Sequence, residues 1–258
     1  MKNNPKGECK MNNRKKYGLI GLIIVIVLII LFVWGFSSGV GTDHDSAPER
    51  ADANATTGDS VQATSSPMDK DKYLNQFLRE QDDIMEDMME EMEEDYNDPE
   101  GNASEDYLEG MIPHHEATLD MAKEYLRLSN NEELKLLAES IYKTQKEEIQ
   151  LMERLKDEID DSGVKDTKKE QDFLTKYGEL LSQHKTMNHT ASTAQNVEQA
   201  FIDGMIPHHQ MAVDMSRAIL DSTDNDEVRR LAENIITTQE DEIKHMQEIR
   251  KAAGVASS

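Results

Sequence analysis

A six-residue stretch occurs twice in this chain. It reads Gly110-Met111-Ile112-Pro113-His114-His115 and, 94 residues later, Gly204-Met205-Ile206-Pro207-His208-His209. The similarity continues without a gap: residues 106–158 laid on 200–252 share 20 of 53 positions. Beyond the hexapeptide these include Asp120/Asp214, Met121/Met215, Leu137/Leu231, Ala138/Ala232, Gln145/Gln239, Glu148/Glu242, Ile149/Ile243 and Met152/Met246. A repeat of this length means two copies of one supersecondary unit, and it sets the architecture before any local reading does.

The unit is helical. From Asp69 onward no stretch alternates with period two, and Gly and Pro are scarce. The pattern predicts helices over about 69–94, 104–128, 130–162, 167–190, 196–220 and 224–251. Asn130 with Glu133, Thr167 with Glu170, and Asp224 with Glu227 read as capping boxes, and Gly163 as a stop. The expected fold is all-α: two three-helix units whose repeat-bearing hairpins (106–158 and 200–252) pair into a four-helix bundle, with the first and fourth helices connecting or flanking it. Residues 68–258 suffice for one buried core. Pro113 and Pro207 fall inside the helical pattern, where each removes a hydrogen bond at a cost of about 3 kcal/mol. The apolar residues Tyr107, Leu108, Met111 and Ile112 just before the first of them favour a continuous, kinked helix over one that begins at the proline.

Residues 1–17 carry six basic side chains and one acid, and 18–36 carry no charge. A helix of that length matches the ~30 Å apolar core of a bilayer. The basic flank keeps the N-terminus in the cytoplasm, and Tyr17 and Trp34 sit at the interfaces. The expectation is a single-pass cell-membrane protein with its main domain outside the cytoplasm. A cleaved signal peptide is the alternative, but the apolar run exceeds the usual ~7–15 residues. Residues 37–67, rich in Ser, Thr, Ala, Gly and Asp, read as a flexible linker. Cys9, the sole cysteine, precedes the apolar run, so the domain has no disulfide and no thiolate ligand. Net charge is −24; residues 1–17 contribute +5, which leaves −29 for the rest. That excludes a nucleic-acid-binding face and concentrates cations near the surface.

On a helix, Met111, His114, Thr118 and Met121 form one face, with His115 beside it. Met205, His208, Met211, Ala212 and Met215 do the same in the second copy, with His209 adjoining. The partner helices align Gln145, Glu148 and Met152, and Gln239, Glu242 and Met246. A lone core methionine is a gap filler. Adjacent histidines with methionine at helical spacing, found twice, point instead to a metal site. Thioether with imidazole favours soft or borderline ions, Cu(I) above all, with Ag(I) following. The first helix adds Met85, Met88, Met89 and Met92 as a stripe where Leu or Ile is usual. Aligning Phe77-Leu78 with Phe173-Leu174 sets Met88 opposite His184, with Met187 and His189 just beyond.

These motifs resemble the family catalogued as domain of unknown function 305. Its members carry an MI-x-HH stretch, a downstream Met on the same helix, and then Q-x-x-E-I-x-x-M. Here those are Met111-Ile112-Pro113-His114-His115 with Met121, then Gln145-x-x-Glu148-Ile149-x-x-Met152. The second set is Met205-Ile206-Pro207-His208-His209 with Met215, then Gln239-x-x-Glu242-Ile243-x-x-Met246. The resemblance spans about residues 70–252. It implies a ferritin-like four-helix bundle, and copper binding and tolerance outside the cytoplasm, the role assigned to some members.

The expected function is therefore a membrane-anchored, extracytoplasmic Cu(I)-binding protein for buffering, tolerance or transfer, with a metal transporter or chaperone as the partner class. No nucleophile or cofactor motif calls for an enzyme. The iron alternative, a di-iron carboxylate oxidase, needs two Glu-x-x-His motifs. Glu242-x-x-His245 is one, but its counterpart is Glu148-x-x-Leu151. Zinc is a weaker candidate without cysteine. The remaining alternative is a structural or interaction module whose histidines are satisfied in the core.

Overall fold

The structure is a computed structural model that describes residues 67–187 and 193–253. The basic N-terminus, the 18–36 segment, the linker up to residue 66, and His189 lie outside it. Six helices run in chain order: α1 (Pro67–Asn97), α2 (Ala103–Leu128), α3 (Glu132–Ser162), α4 (Thr167–Met187), α5 (Val197–Leu220) and α6 (Asp226–Ala252). Each expected helix is present. Among the described residues no helix is long and apolar enough to cross a membrane.

The caps shift by a residue from expectation. Asn131 and Asn225, identical in the two copies, cap α3 and α6: Asn131 accepts from the Leu134 amide, and Asn225 from those of Glu227 and Val228. They sit one residue after Asn130 and Asp224, where an extended backbone aims the side-chain oxygen back at the first turn. At α4 the Asp166 carboxylate accepts from the Lys169 amide at 3.2 Å. Glu170 is drawn away from Thr167 and accepts from the Gly101 amide in the α1–α2 loop. Gly163 ends α3 in the left-handed conformation, as expected.

The centre of the domain is the pair α2 and α5. Helices α3 and α6 cover one side of it and touch each other; α1 and α4 cover the other. The repeat hairpins thus pack together, and the flanking helices close a second buried face. The central pair is antiparallel. Ser104 Oγ at the start of α2 meets Thr223 Oγ1 past the end of α5 at 2.6 Å. Tyr107 OH meets Ser216 Oγ at 2.8 Å. Ser129, past the end of α2, donates to Glu198 at the start of α5 at 2.9 Å. The two Pro-His-His stretches therefore cross near mid-length. Both helices continue through their prolines.

The repeated glycine now has a reason. A Cβ on Gly110 would lie 2.2 Å from the Tyr177 hydroxyl of α4, and one on Gly204 would lie 1.5 Å from the Gln81 amide of α1. Tyr177 and Gln81 occupy matching places under the Phe77/Phe173 alignment, so each outer helix crosses to the glycine of the opposite half. The two positions differ in tolerance. Tyr177 is a buried ring stacked on Phe173 at 5.5 Å, whereas Gln81 is a flexible, half-buried chain. Gly110→Ala should lower stability by about 1–3 kcal/mol through overpacking. In Gly204→Ala, by contrast, the displaced amide and the roughly 1 kcal/mol gained in helix propensity should nearly cancel. Urea unfolding of the two variants checks this; equal losses would refute the asymmetry.

Candidate metal centre

At the α2–α5 crossing the histidines meet. The His114 and His208 rings are 3.8 Å apart between centroids and nearly perpendicular. His114, His115, His208 and His209 are fully buried, and His184 of α4 is nearly so. The His184 ring lies 6.4 Å from that of His208.

Their hydrogen bonds fix the proton positions. The His114 Nε2–H donates to the backbone carbonyl of His208 at 3.1 Å. A carboxylate only accepts, so His115 donates from Nε2 to Glu148 and His209 donates from Nε2 to Glu242, each at 3.0 Å. In the neutral form of each ring the lone pair then resides on Nδ1. Among the described residues, no group bonds Nδ1 of His114, His115 or His209, or either nitrogen of His184 or His208. The two amide atoms of Gln145 and of Gln239 are likewise buried and unbonded. Buried polar atoms almost always have partners, and leaving one without costs about 1–3 kcal/mol. The number of bare nitrogens gathered here is not what a satisfied core shows.

Burial, reinforced by the neighbouring imidazoles, drives the pKa of His114 and of His208 far below the ordinary histidine range. Burial lowers His184 to about 4. Neutral imidazole is the form that binds a metal. The Glu148–His115 and Glu242–His209 pairs have the form of an outer-shell carboxylate that orients a ligating histidine.

The methionines belong to the buried core. Met111 and Met121 of α2, Met152 of α3, Met205, Met211 and Met215 of α5, and Met246 of α6 are buried, as are Met85, Met88, Met89 and Met92 of α1. The structure thus buries most of the expected ligand set. His245 is the exception: it lies exposed on α6. The Glu242-x-x-His245 motif is split, since Glu242 is engaged with His209. Met187 ends α4, and its side chain lies outside the described residues. Among the described residues no three His, Cys, Asp or Glu groups converge to hold an ion, so a site here takes thioether donors or few ligands. Glu148 and Glu242 are the partners that the sequence-based ligand set left out. Their signal was the shared Q-x-x-E spacing in both copies.

The fold and site define an all-helical protein with an internal repeat and a buried histidine–methionine interior. The chain belongs to the family described as Domain of unknown function (DUF305), whose model matches residues 48–156 and 104–250. Crystal structures of a protein named CopM in silver-bound and Cu(I)-bound forms are 30% identical to it. They cover 58% of this chain and 96% of theirs, with a TM-score of 0.44. A DUF305 fragment from Deinococcus radiodurans is 28% identical over 57% of this chain and 94% of its own, with a TM-score of 0.41. The uncharacterized protein L153 of Acanthamoeba polyphaga mimivirus is 46% identical over 57 residues, which are 38% of its length. The chain spans well under half of that curated relative.

Proposed function

We propose that this protein binds soft monovalent metal ions, Cu(I) foremost and Ag(I) after it, in the interior between α2 and α5. It would hold them outside the cytoplasm for buffering, tolerance or transfer, anchored to the membrane by residues 18–36. The observation that carries the reading is the cluster of buried imidazoles with bare nitrogens set among thioethers. Thioether and neutral imidazole are soft to borderline donors. They bring no negative charge, and a monovalent ion is the least costly to desolvate among them. The carboxylates nearest the histidines, Glu148 and Glu242, are already paired with them, which speaks against a carboxylate-bridged iron pair. The cargo ion would gain its ligands from side chains on both halves of the repeat, so its binding would also hold those halves together.

The test is an anaerobic Cu(I) titration of the full chain against a chromophoric competitor, with Zn(II) and with Fe(II) plus oxygen in parallel. Tight, stoichiometric Cu(I) binding is expected, with Zn(II) at least ~100-fold weaker. Oxygen-dependent Fe(II) oxidation without tight Cu(I) binding would overturn the reading.

A further inference from the structure

The two halves of the repeat are not chemically equal at the crossing. Under the alignment that the glycine neighbours support, Gln81 with Tyr177, the residue two turns further on is Met88 in α1 and His184 in α4. Both are buried. The hydrogen bonding is unequal as well. His114 Nε2 is tied to the His208 carbonyl, but His208 makes no reciprocal bond, and both of its nitrogens are free of partners among the described residues. Both nitrogens of His184 are free too. The half that exchanges Met for His is also the half whose central histidine is released.

The separation fits an ion. Two imidazole–metal bonds of about 2.0 Å, one from each side, put ring centroids roughly 6 Å apart; those of His184 and His208 are 6.4 Å apart. Two unbonded, neutral imidazoles at this separation suit a d10 monovalent ion that accepts two ligands. A divalent ion would bring a second charge, and the nearest carboxylates, Glu148 and Glu242, are already paired with His115 and His209.

We propose that His184 and His208 form a two-imidazole site for a monovalent soft ion. It is distinct from the face of α2 on which the buried Met111 and Met121 share helical spacing with His114. One protein would then hold two ions in unlike ligand sets, one nitrogen-bound and one mainly sulfur-bound. The inference rests on the Cu(I) reading above and specifies where within it an ion sits.

The test uses the full chain with His184→Leu, which removes the ligand, and His184→Met, which makes the halves alike. The second variant guards against a folding defect, because methionine already occupies the matching buried position. Far-UV circular dichroism establishes the helicity of both. Cu(I) is titrated anaerobically against the competitor, and X-ray absorption at the copper edge counts nitrogen and sulfur neighbours. His184→Leu should bind one equivalent of Cu(I) at least ~100-fold more weakly and leave the remainder unchanged. His184→Met should keep the stoichiometry while nitrogen neighbours fall and sulfur neighbours rise. If the unaltered protein binds Cu(I) and both folded variants match it in affinity and neighbour count, the two-imidazole site is wrong and the Cu(I) reading stands. If the unaltered protein binds no Cu(I), both fall together.

Discussion

Alanine at both His114 and His208 should lower Cu(I) affinity by at least ~100-fold while leaving the helix content and the stability of the metal-free chain nearly unchanged. The first part follows from ligation. Losing even an outer-shell partner costs a metal site about 10–100-fold, and here two of the proposed donors disappear from the crossing of the central helices. The second part follows from opposed terms. Truncating a large buried side chain leaves a cavity and costs about 2–5 kcal/mol. Against that, the double change removes three buried nitrogens without a partner among the described residues, Nδ1 of His114 and both nitrogens of His208. Each costs the native state about 1–3 kcal/mol as it stands. The two imidazoles together make one hydrogen bond, from His114 to the His208 carbonyl, and its removal costs about 1 kcal/mol net. Competitor titration and urea unfolding of the same preparations decide the matter. Histidines that merely complete the core predict the reverse pattern: a clear loss of stability and no loss of metal affinity.

How much of this was legible in the sequence depends on the scale of the signal. The six helices were, because their apolar periodicity is long and their stops are Gly163 and polar loops. The pairing of the repeat hairpins was implied by the repeat, but the antiparallel crossing of α2 and α5 was not. The cap positions were off by a residue. Asn130 and Asn131 are adjacent good caps, and only the backbone angle at Asn131 selects between them. The burial of Met and His was expected from helical spacing, yet His245 lies exposed. On α6 the buried Met246 turns its neighbour His245 outward. The roles of Glu148 and Glu242 needed three dimensions, because a carboxylate becomes a histidine partner only when α3 lies on α2 and α6 on α5. The exchange of Met88 for His184 was visible in the alignment. That His208 is left without a partner was not.

The metal-free protein should lose stability steeply as pH falls from 6.5 to 5. Its buried histidines refuse the proton that the unfolded chain accepts near pH 6.5. For a histidine whose folded pKa is depressed, the stability is whole above 6.5 and declines by about 1.4 kcal/mol per pH unit until the folded value is reached. For His184, lowered to about 4, the window runs from 6.5 to 4 and is worth about 3 kcal/mol. Burial also drives His114 and His208 well below the ordinary histidine range, so all three pull in the same direction, each by up to about 1.4 kcal/mol per unit. Buried acids act in the opposite sense: desolvation raises Asp82, Asp95, Glu105 and Glu116, and Asp106 by a large margin. Burial raises Asp106 to about 7, helped by the charges of Glu170, Glu109 and Glu105 and resisted by its bond from the Glu100 amide. An acid raised in this way destabilises the fold when ionised, and returns stability as pH drops through 7 towards its unfolded value near 4. Between pH 6.5 and 5 the three imidazoles outweigh the raised acids, and the net fall is a sizeable part of a domain stability of about 5–15 kcal/mol. Two variants separate the contributions. Asp106→Asn should raise stability at pH 8 and make the fall from 6.5 to 5 steeper, because the returning term is gone. His184→Leu should make it shallower by about 1.4 kcal/mol per unit. Urea unfolding of the metal-free chain at pH 8, 6.5 and 5 measures all three slopes. Stability that holds level or rises between 6.5 and 5 would mean that the imidazoles at the helix crossing take up protons in the folded state, and that the interior is not the closed, neutral cavity that soft-metal binding requires.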